Sequence, residues 1–95
     1  MTDTDDVNVT VKEGKPVGFV YPDVDGMGTL VVPNAVVLIA GGPNVDNGKK
    51  FIDYLLRAET EAALARSEAA QIPLRSDVVL PDGFPFKSAA QLKKM

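Results

Sequence analysis

The sequence predicts an α/β fold, in which two or three helices pack against a small mixed sheet. Residues 29–40 form the most apolar run in the chain and are rich in β-branched side chains, which is typical of a buried strand. A single proline, Pro33, predicts a kink in that strand, because proline cannot donate to a sheet ladder. At 12 residues the run is too short to cross a bilayer as a helix, which needs ~20.

A helix is predicted directly after the strand. Asn44 is a suitable N-cap, and Asp46 lies in the first turn, where the helix dipole favours negative charge. Gly48 inside the helix costs ~1 kcal/mol relative to alanine. Apolar residues four apart predict one buried stripe, consisting of Phe51, Ile52, Leu55 and Leu56.

The first residues admit two interpretations. Thr4 can cap a short helix with Asp5 and Asp6 in its first turn, and Gly14 is placed to end it. Residues 7–11 also alternate with period two and are β-branched, which favours a strand. We expect the helix. The other predicted elements are a strand at 17–21, a loop at 23–28, a second helix from about Glu59, and a helix at 89–95 capped by Ser88.

Composition limits the function. Thirteen acidic and ten basic residues give a net charge of −3, which argues against a nucleic-acid-binding protein. The absence of cysteine and histidine excludes the usual zinc sites and Cys or His nucleophile systems within this chain. We therefore expect no enzyme activity and no cofactor. The first six residues have neither the basic nor the apolar region of a signal peptide.

Six short segments resemble, in the same order and with ordinary spacing, the family 1 extracellular solute-binding proteins. They lie at residues 21–23, 28–34, 42–44, 51–56, 59–61 and 71–74. The subgroup most similar to them comprises receptors of ABC transporters for ferric iron and 2-aminoethylphosphonate. Such receptors have the type 2 periplasmic-binding-protein fold, which consists of two α/β lobes. The resemblance implies a C-terminal piece, truncated at both ends, that forms one partial domain.

The resemblance also assigns a place and a function to each part. Residues 1–28 correspond to the second lobe, residues 29–40 to the strand that crosses the hinge, and residues 41–95 to helices of the first lobe. The implied function is to bind a small solute such as ferric iron or a phosphonate in the periplasm and deliver it to an ABC permease. The paired tyrosines that hold iron in the family lie upstream of this chain. The alternative is a ligand-sensing effector domain of a transcriptional regulator with the same fold.

Four residues are candidates for ligand contact. Thr4 and Asp5 begin a helix whose N-terminus would face the cleft, and such termini bind anions; an ordinary solvated helix start is the alternative. Tyr21 is an aromatic candidate for the cleft wall or else a tyrosine of the sheet. Asp23 lies in a loop with two carboxylates and two glycines, which lacks the other ligands of a calcium loop and is more typical of a hinge-side turn.

A partial domain exposes strand edges and apolar faces, and such surfaces find partners. We therefore expect self-association, with a homodimer formed by exchange of residues 29–40 between chains. The isolated chain should bind iron or phosphonates weakly or not at all, because half of a cleft cannot enclose a ligand.

Overall fold

Four helices are the only regular elements among residues 2–92, which are the residues that the computed structural model describes. They are α1 (Thr4–Lys12), α2 (Val45–Leu55), α3 (Ala58–Arg66) and α4 (Ala89–Leu92). Turns and irregular segments connect them. None of the helices in the described range has the length and apolar character needed to cross a membrane.

The predicted α/β fold with a small mixed sheet is wrong, because the described residues contain no strand. Residues 17–21 and 29–40 were both expected to be strands and are irregular instead. No backbone N–H or C=O group of residues 30–38 makes a hydrogen bond to another described residue. A strand exists only when those groups pair with a neighbour. An apolar, β-branched pattern does not by itself supply the partner strand.

Helix α1 confirms the helical interpretation of the first residues. Asp3, one residue before the predicted cap, is the N-cap, and its side chain makes no capping hydrogen bond. Gly14 ends the helix with a φ of +77°, a conformation that favours glycine. Its N–H donates to the carbonyl of Val11 at 3.0 Å, and the N–H of Lys15 donates to the carbonyl of Thr10 at 3.3 Å. This is the Schellman pattern of helix termination.

Helix α2 begins after Asn44 as predicted, but its apolar stripe is not a core. The side chain of Phe51 is 60% exposed and that of Leu56 is 54% exposed, whereas Ile52 and Leu55 are half-buried. The prediction that all four are buried is wrong, because residues 2–92 form no sheet that could cover this face of the helix. A Cβ added at Gly48 would lie 2.8 Å from Cδ1 of Leu38, the tip of an exposed side chain.

The last two helices agree with the sequence over the described range. Helix α3 starts at Ala58, one residue before the predicted start. At α4, the Ser88 N–H donates to Oε1 of Gln91 at 2.8 Å, and the Gln91 N–H donates to Oγ of Ser88 at 3.3 Å. These reciprocal bonds form a capping box. The predicted helix continued to residue 95, but residues 93–95 lie outside the described residues.

The chain is open for its size. The buried residues in the described range are Asn8, Ala65, Ala70, Phe86 and Leu92. The Cα radius of gyration is 15.6 Å, against about 12 Å for a compact domain of this length. The accessible surface is 7333 Å², against roughly 5,300 Å² for a folded monomer of this mass. The excess of about 2,000 Å² is as large as the surface that a stable complex buries.

Candidate functional site

A groove of about 350 Å³ lies at the corner between α2 and α3 and is open to solvent on one side. It forms where α2 ends at Leu55 and α3 begins at Ala58, so that the two helices diverge around a short turn. Its lining residues are Tyr54, Arg57, Glu59, Thr60, Ala63, Leu64 and Ser67.

Two hydroxyl groups in this groove donate to carbonyls at the helix ends. The Thr60 hydroxyl donates to the Tyr54 carbonyl at 2.6 Å, and the Ser67 hydroxyl donates to the Leu64 carbonyl at 2.7 Å. The guanidinium of Arg57 lies 4.2 Å from the centre of the Tyr54 ring, a cation–π contact. The charged groups of the lining are Arg57 and Glu59, which have opposite signs. The open side prevents the groove from enclosing a small molecule, as tight binding requires.

Thr4 and Asp5 lie together in the first turn of α1. The Thr4 hydroxyl donates to the Ala69 carbonyl at 3.2 Å, and four residues later the buried Asn8 donates to the Glu68 carbonyl at 2.8 Å. These two bonds dock α1 against the turn that follows α3. Asp5 is exposed. Thr4 therefore has a structural partner in this chain, and the role of either residue in ligand contact remains a prediction.

Tyr21 belongs to an aromatic cluster that joins two distant parts of the chain. Its ring lies edge-on to Phe19 at a centroid distance of 5.4 Å, and Phe19 lies 5.2 Å from Phe86. The Tyr21 hydroxyl accepts the backbone N–H of Lys87 at 2.9 Å, and the ammonium of Lys87 lies 5.2 Å from the centre of the ring. A cleft-wall role for Tyr21 remains a prediction.

Asp23 stabilises its own turn. Its φ is +55°, its carboxylate accepts the Met27 N–H at 3.0 Å, and its carbonyl accepts the N–H groups of Gly26 and Gly28. The predicted loop is thus a turn built around this aspartate. No group of three or more side chains able to hold a metal ion occurs in the described part of the chain. Among the described residues, no hydrogen bond joins the pair Tyr21 and Asp23 to the pair Thr4 and Asp5.

A polar cluster surrounds Arg75, a residue that the sequence patterns do not mark as a site. Its guanidinium donates to both carboxylate oxygens of Asp77, at 2.9 and 2.8 Å, and also to the Leu56 carbonyl at 3.3 Å. Its backbone N–H donates to the Glu61 carboxylate at 3.0 Å. The hydrogen bond from Arg75 holds the pKa of Asp77 below its ordinary value, and Asp77 in turn raises the pKa of Arg75. The only signal in the sequence was two opposite charges spaced two residues apart.

The chain is similar over 60 residues to curated proteins of Salmonella, at 35% identity. These are provisionally described as 2-aminoethylphosphonate-binding periplasmic proteins, in Salmonella typhimurium strain LT2, Salmonella paratyphi A and Salmonella typhi. The similar stretch covers 63% of this chain and 17% of each relative. No protein-family model matches the chain, and no solved structure matches it.

The chain thus spans less than a fifth of the length of the curated relatives that it matches. The match supports the predicted resemblance to periplasmic binding proteins at that broad level, and over that stretch alone. The match does not test the assignment of residues 1–28, 29–40 and 41–95 to the second lobe, the hinge strand and the first lobe, which stays a prediction.

Proposed function

We propose that this chain is part of a periplasmic solute-binding protein that serves an ABC importer. The observation that carries the proposal is the 35% identity over 60 residues to proteins described as 2-aminoethylphosphonate-binding and periplasmic. The proposed ligand is a small organophosphonate. A phosphonate is favoured over ferric iron because the relatives' description names one.

The open structure supports a role as part of a larger receptor. Two-lobed receptors bind by hinge closure around the ligand, so each lobe supplies one wall of the cleft. The groove at the corner between α2 and α3 is one-sided, and many large apolar side chains are exposed. A ligand site that buries most of a small molecule therefore needs residues beyond those described.

A chimera tests the proposal. The matched 60-residue stretch of the Salmonella typhimurium protein is replaced by that of this chain, and binding of 2-aminoethylphosphonate is measured by calorimetric titration. The unexchanged protein is the control and must itself bind the ligand, and thermal unfolding must show that the chimera is folded. We expect the folded chimera to retain binding, with inorganic phosphate and ferric iron as weaker ligands. A folded chimera without measurable affinity would contradict the proposal.

The parent reading frame and its neighbours give a second test. An importer component is expected beside genes for a permease and an ATPase. A helix-turn-helix segment encoded upstream in the same frame would instead support the transcriptional-regulator alternative.

A further inference from the structure

The segment at residues 30–39 exposes both its apolar side chains and its backbone. It carries three apolar residues on each side of the central Pro33-Asn34-Ala35-Val36 sequence. The backbone groups of residues 30–38 make no hydrogen bond to another described residue. No charged residue lies between Asp25 and Asp46, so the segment lacks the lysine that commonly protects an edge strand.

The segment has the same apolar pattern when it is read in either direction. Residues whose numbers add up to 69 match in character and in exposure. Leu30 and Ile39 are 74% and 76% exposed, Val31 and Leu38 are 40% and 42% exposed, and Val32 and Val37 are 69% and 78% exposed. Successive side chains of a strand lie on opposite faces. The more exposed positions are even-numbered before the centre, at 30 and 32, and odd-numbered after it, at 37 and 39. A β-bulge adds one residue to a strand and so shifts the alternation by one position. Pro33 lies in the central sequence, where such a bulge would have to occur.

Such a pattern is self-complementary in one arrangement. In an antiparallel pair, residues opposite each other have numbers with a constant sum, and opposite side chains share a face. A two-fold axis between two copies produces the same relation, because residue i of one copy meets residue j of the other, and j meets i. We propose that residues 30–39 pair antiparallel with the same residues of a second copy of this chain, with residue i opposite residue 69−i.

Three further observations bear on a second copy. The excess surface of about 2,000 Å² exceeds the ~800 Å² that each partner buries in a standard interface. Leu38, on the less exposed face, approaches Gly48 of its own helix α2. Leu38 therefore lies near its own helix, while the more exposed positions of the segment remain available. The absence of charge means that two copies pair without opposing like charges, although each chain carries a net charge of −3.

Sedimentation equilibrium of the whole chain over a range of concentrations tests the pairing. We expect a monomer–dimer equilibrium for the native sequence. Val37→Lys places a charge opposite Val32 twice in each dimer and should raise the dissociation constant about tenfold or more. The matched control is Val79→Lys, at a site that is 88% exposed and lies outside the segment, and it should leave the equilibrium unchanged. Equal effects of the two variants would overturn the proposal. A chain that stays monomeric at every concentration would also overturn the proposal. In that case another part of a longer polypeptide would be the partner that covers the segment.

Thiol cross-linking tests the register, since the native chain contains no cysteine. Single variants Val32→Cys and Val37→Cys are mixed and treated with a short thiol cross-linker, and each is also treated alone. Opposite Cβ atoms lie about 5 Å apart and diagonal ones about 7–8 Å apart. We expect the mixture to cross-link at least several-fold faster than either variant alone. A mixture of Val32→Cys and Ile39→Cys, shifted by two residues, is the control. Rapid cross-linking of each variant with itself would indicate parallel in-register stacking, and growth into fibres would indicate the same; either result would overturn the antiparallel dimer.

Discussion

Replacement of Asn8 by aspartate tests how α1 is attached to the rest of the chain. Asn8 is buried, and its amide Nδ2 donates to the Glu68 carbonyl at 2.8 Å. Asn8→Asp keeps the shape of the side chain but puts a carboxylate oxygen against that carbonyl oxygen. The lost hydrogen bond contributes ~1 kcal/mol, and a carboxylate held without a donor at this buried position costs a further ~1–3 kcal/mol. At neutral pH we expect a loss of about 2–4 kcal/mol in the free energy of unfolding.

The loss should depend on pH, with a sign that follows from the geometry. Only the protonated carboxyl can donate to the Glu68 carbonyl, so its pKa in the folded protein should lie above the unfolded value of about 4. For a group whose folded pKa is raised, the stabilisation is present below the unfolded pKa and disappears as the pH rises through the folded pKa. The difference in stability between Asn8→Asp and the native chain should therefore be smallest near pH 3 and largest at neutral pH.

Urea unfolding followed by far-ultraviolet circular dichroism measures these differences at pH 3 and pH 7. Asn8→Ala removes the hydrogen bond without adding a charge, so its cost should vary little with pH relative to the native chain. Asn47→Asp makes the same chemical change at an exposed site in the first turn of α2, and should stay within ~0.5 kcal/mol of the native chain. Equal stability of Asn8→Asp and Asn47→Asp at pH 7 would refute the reasoning.

Three further predictions concern the exposed parts of the chain. Gly48→Ala should gain less than the ~1 kcal/mol of helix propensity while Leu38 has to move aside, and should gain more in a Leu38→Ala background; a double-mutant cycle measured by urea unfolding checks the coupling. Phe51→Ala should cost less than ~1 kcal/mol, because the ring is mostly exposed; a loss of the 3–5 kcal/mol typical of a buried ring would show that the face is covered. The pKa of Asp77 is lowered by Arg75, so their pairing should stabilise the fold above pH ~4 and be lost on acidification. The urea midpoint of unfolding should then fall less between pH 6 and pH 3 for Asp77→Asn than for the native chain. An equal or larger fall for the variant would contradict this prediction.

The helices could be predicted because their signals are local. A glycine with positive φ after α1 and the Ser88–Gln91 capping box after the last loop act within a few residues of chain. Asn44 marks the start of α2 correctly, although its side chain makes no capping hydrogen bond. Each of these signals determines where a helix begins or ends without reference to distant residues.

The contacts around the candidate site residues could not be predicted, because they join residues far apart in sequence. Tyr21 meets Lys87, Thr4 meets Ala69, and Arg75 meets both Leu56 and Glu61. None of these pairs has a periodic or compositional signature. The sequence indicated which side chains carry polar groups, but it did not indicate which carbonyl or carboxylate each one contacts.

The missing sheet has a different cause, since the strand signal of residues 29–40 is strong. β-propensity measures how well a side chain fits a paired and half-buried surface, so it has little effect until a neighbouring strand is present. In this chain no described residue supplies that neighbour, and the apolar side chains remain exposed. A strand at residues 30–39 and the proposed dimer therefore both require that this segment pairs with a second strand. If pairing occurs, the amide hydrogens of residues 30–39 that face the partner should exchange more slowly as the protein concentration rises, while those of α1 should not change. Exchange that is independent of concentration in both regions would mean that the strand forms only in a longer polypeptide, where covalent linkage supplies the partner.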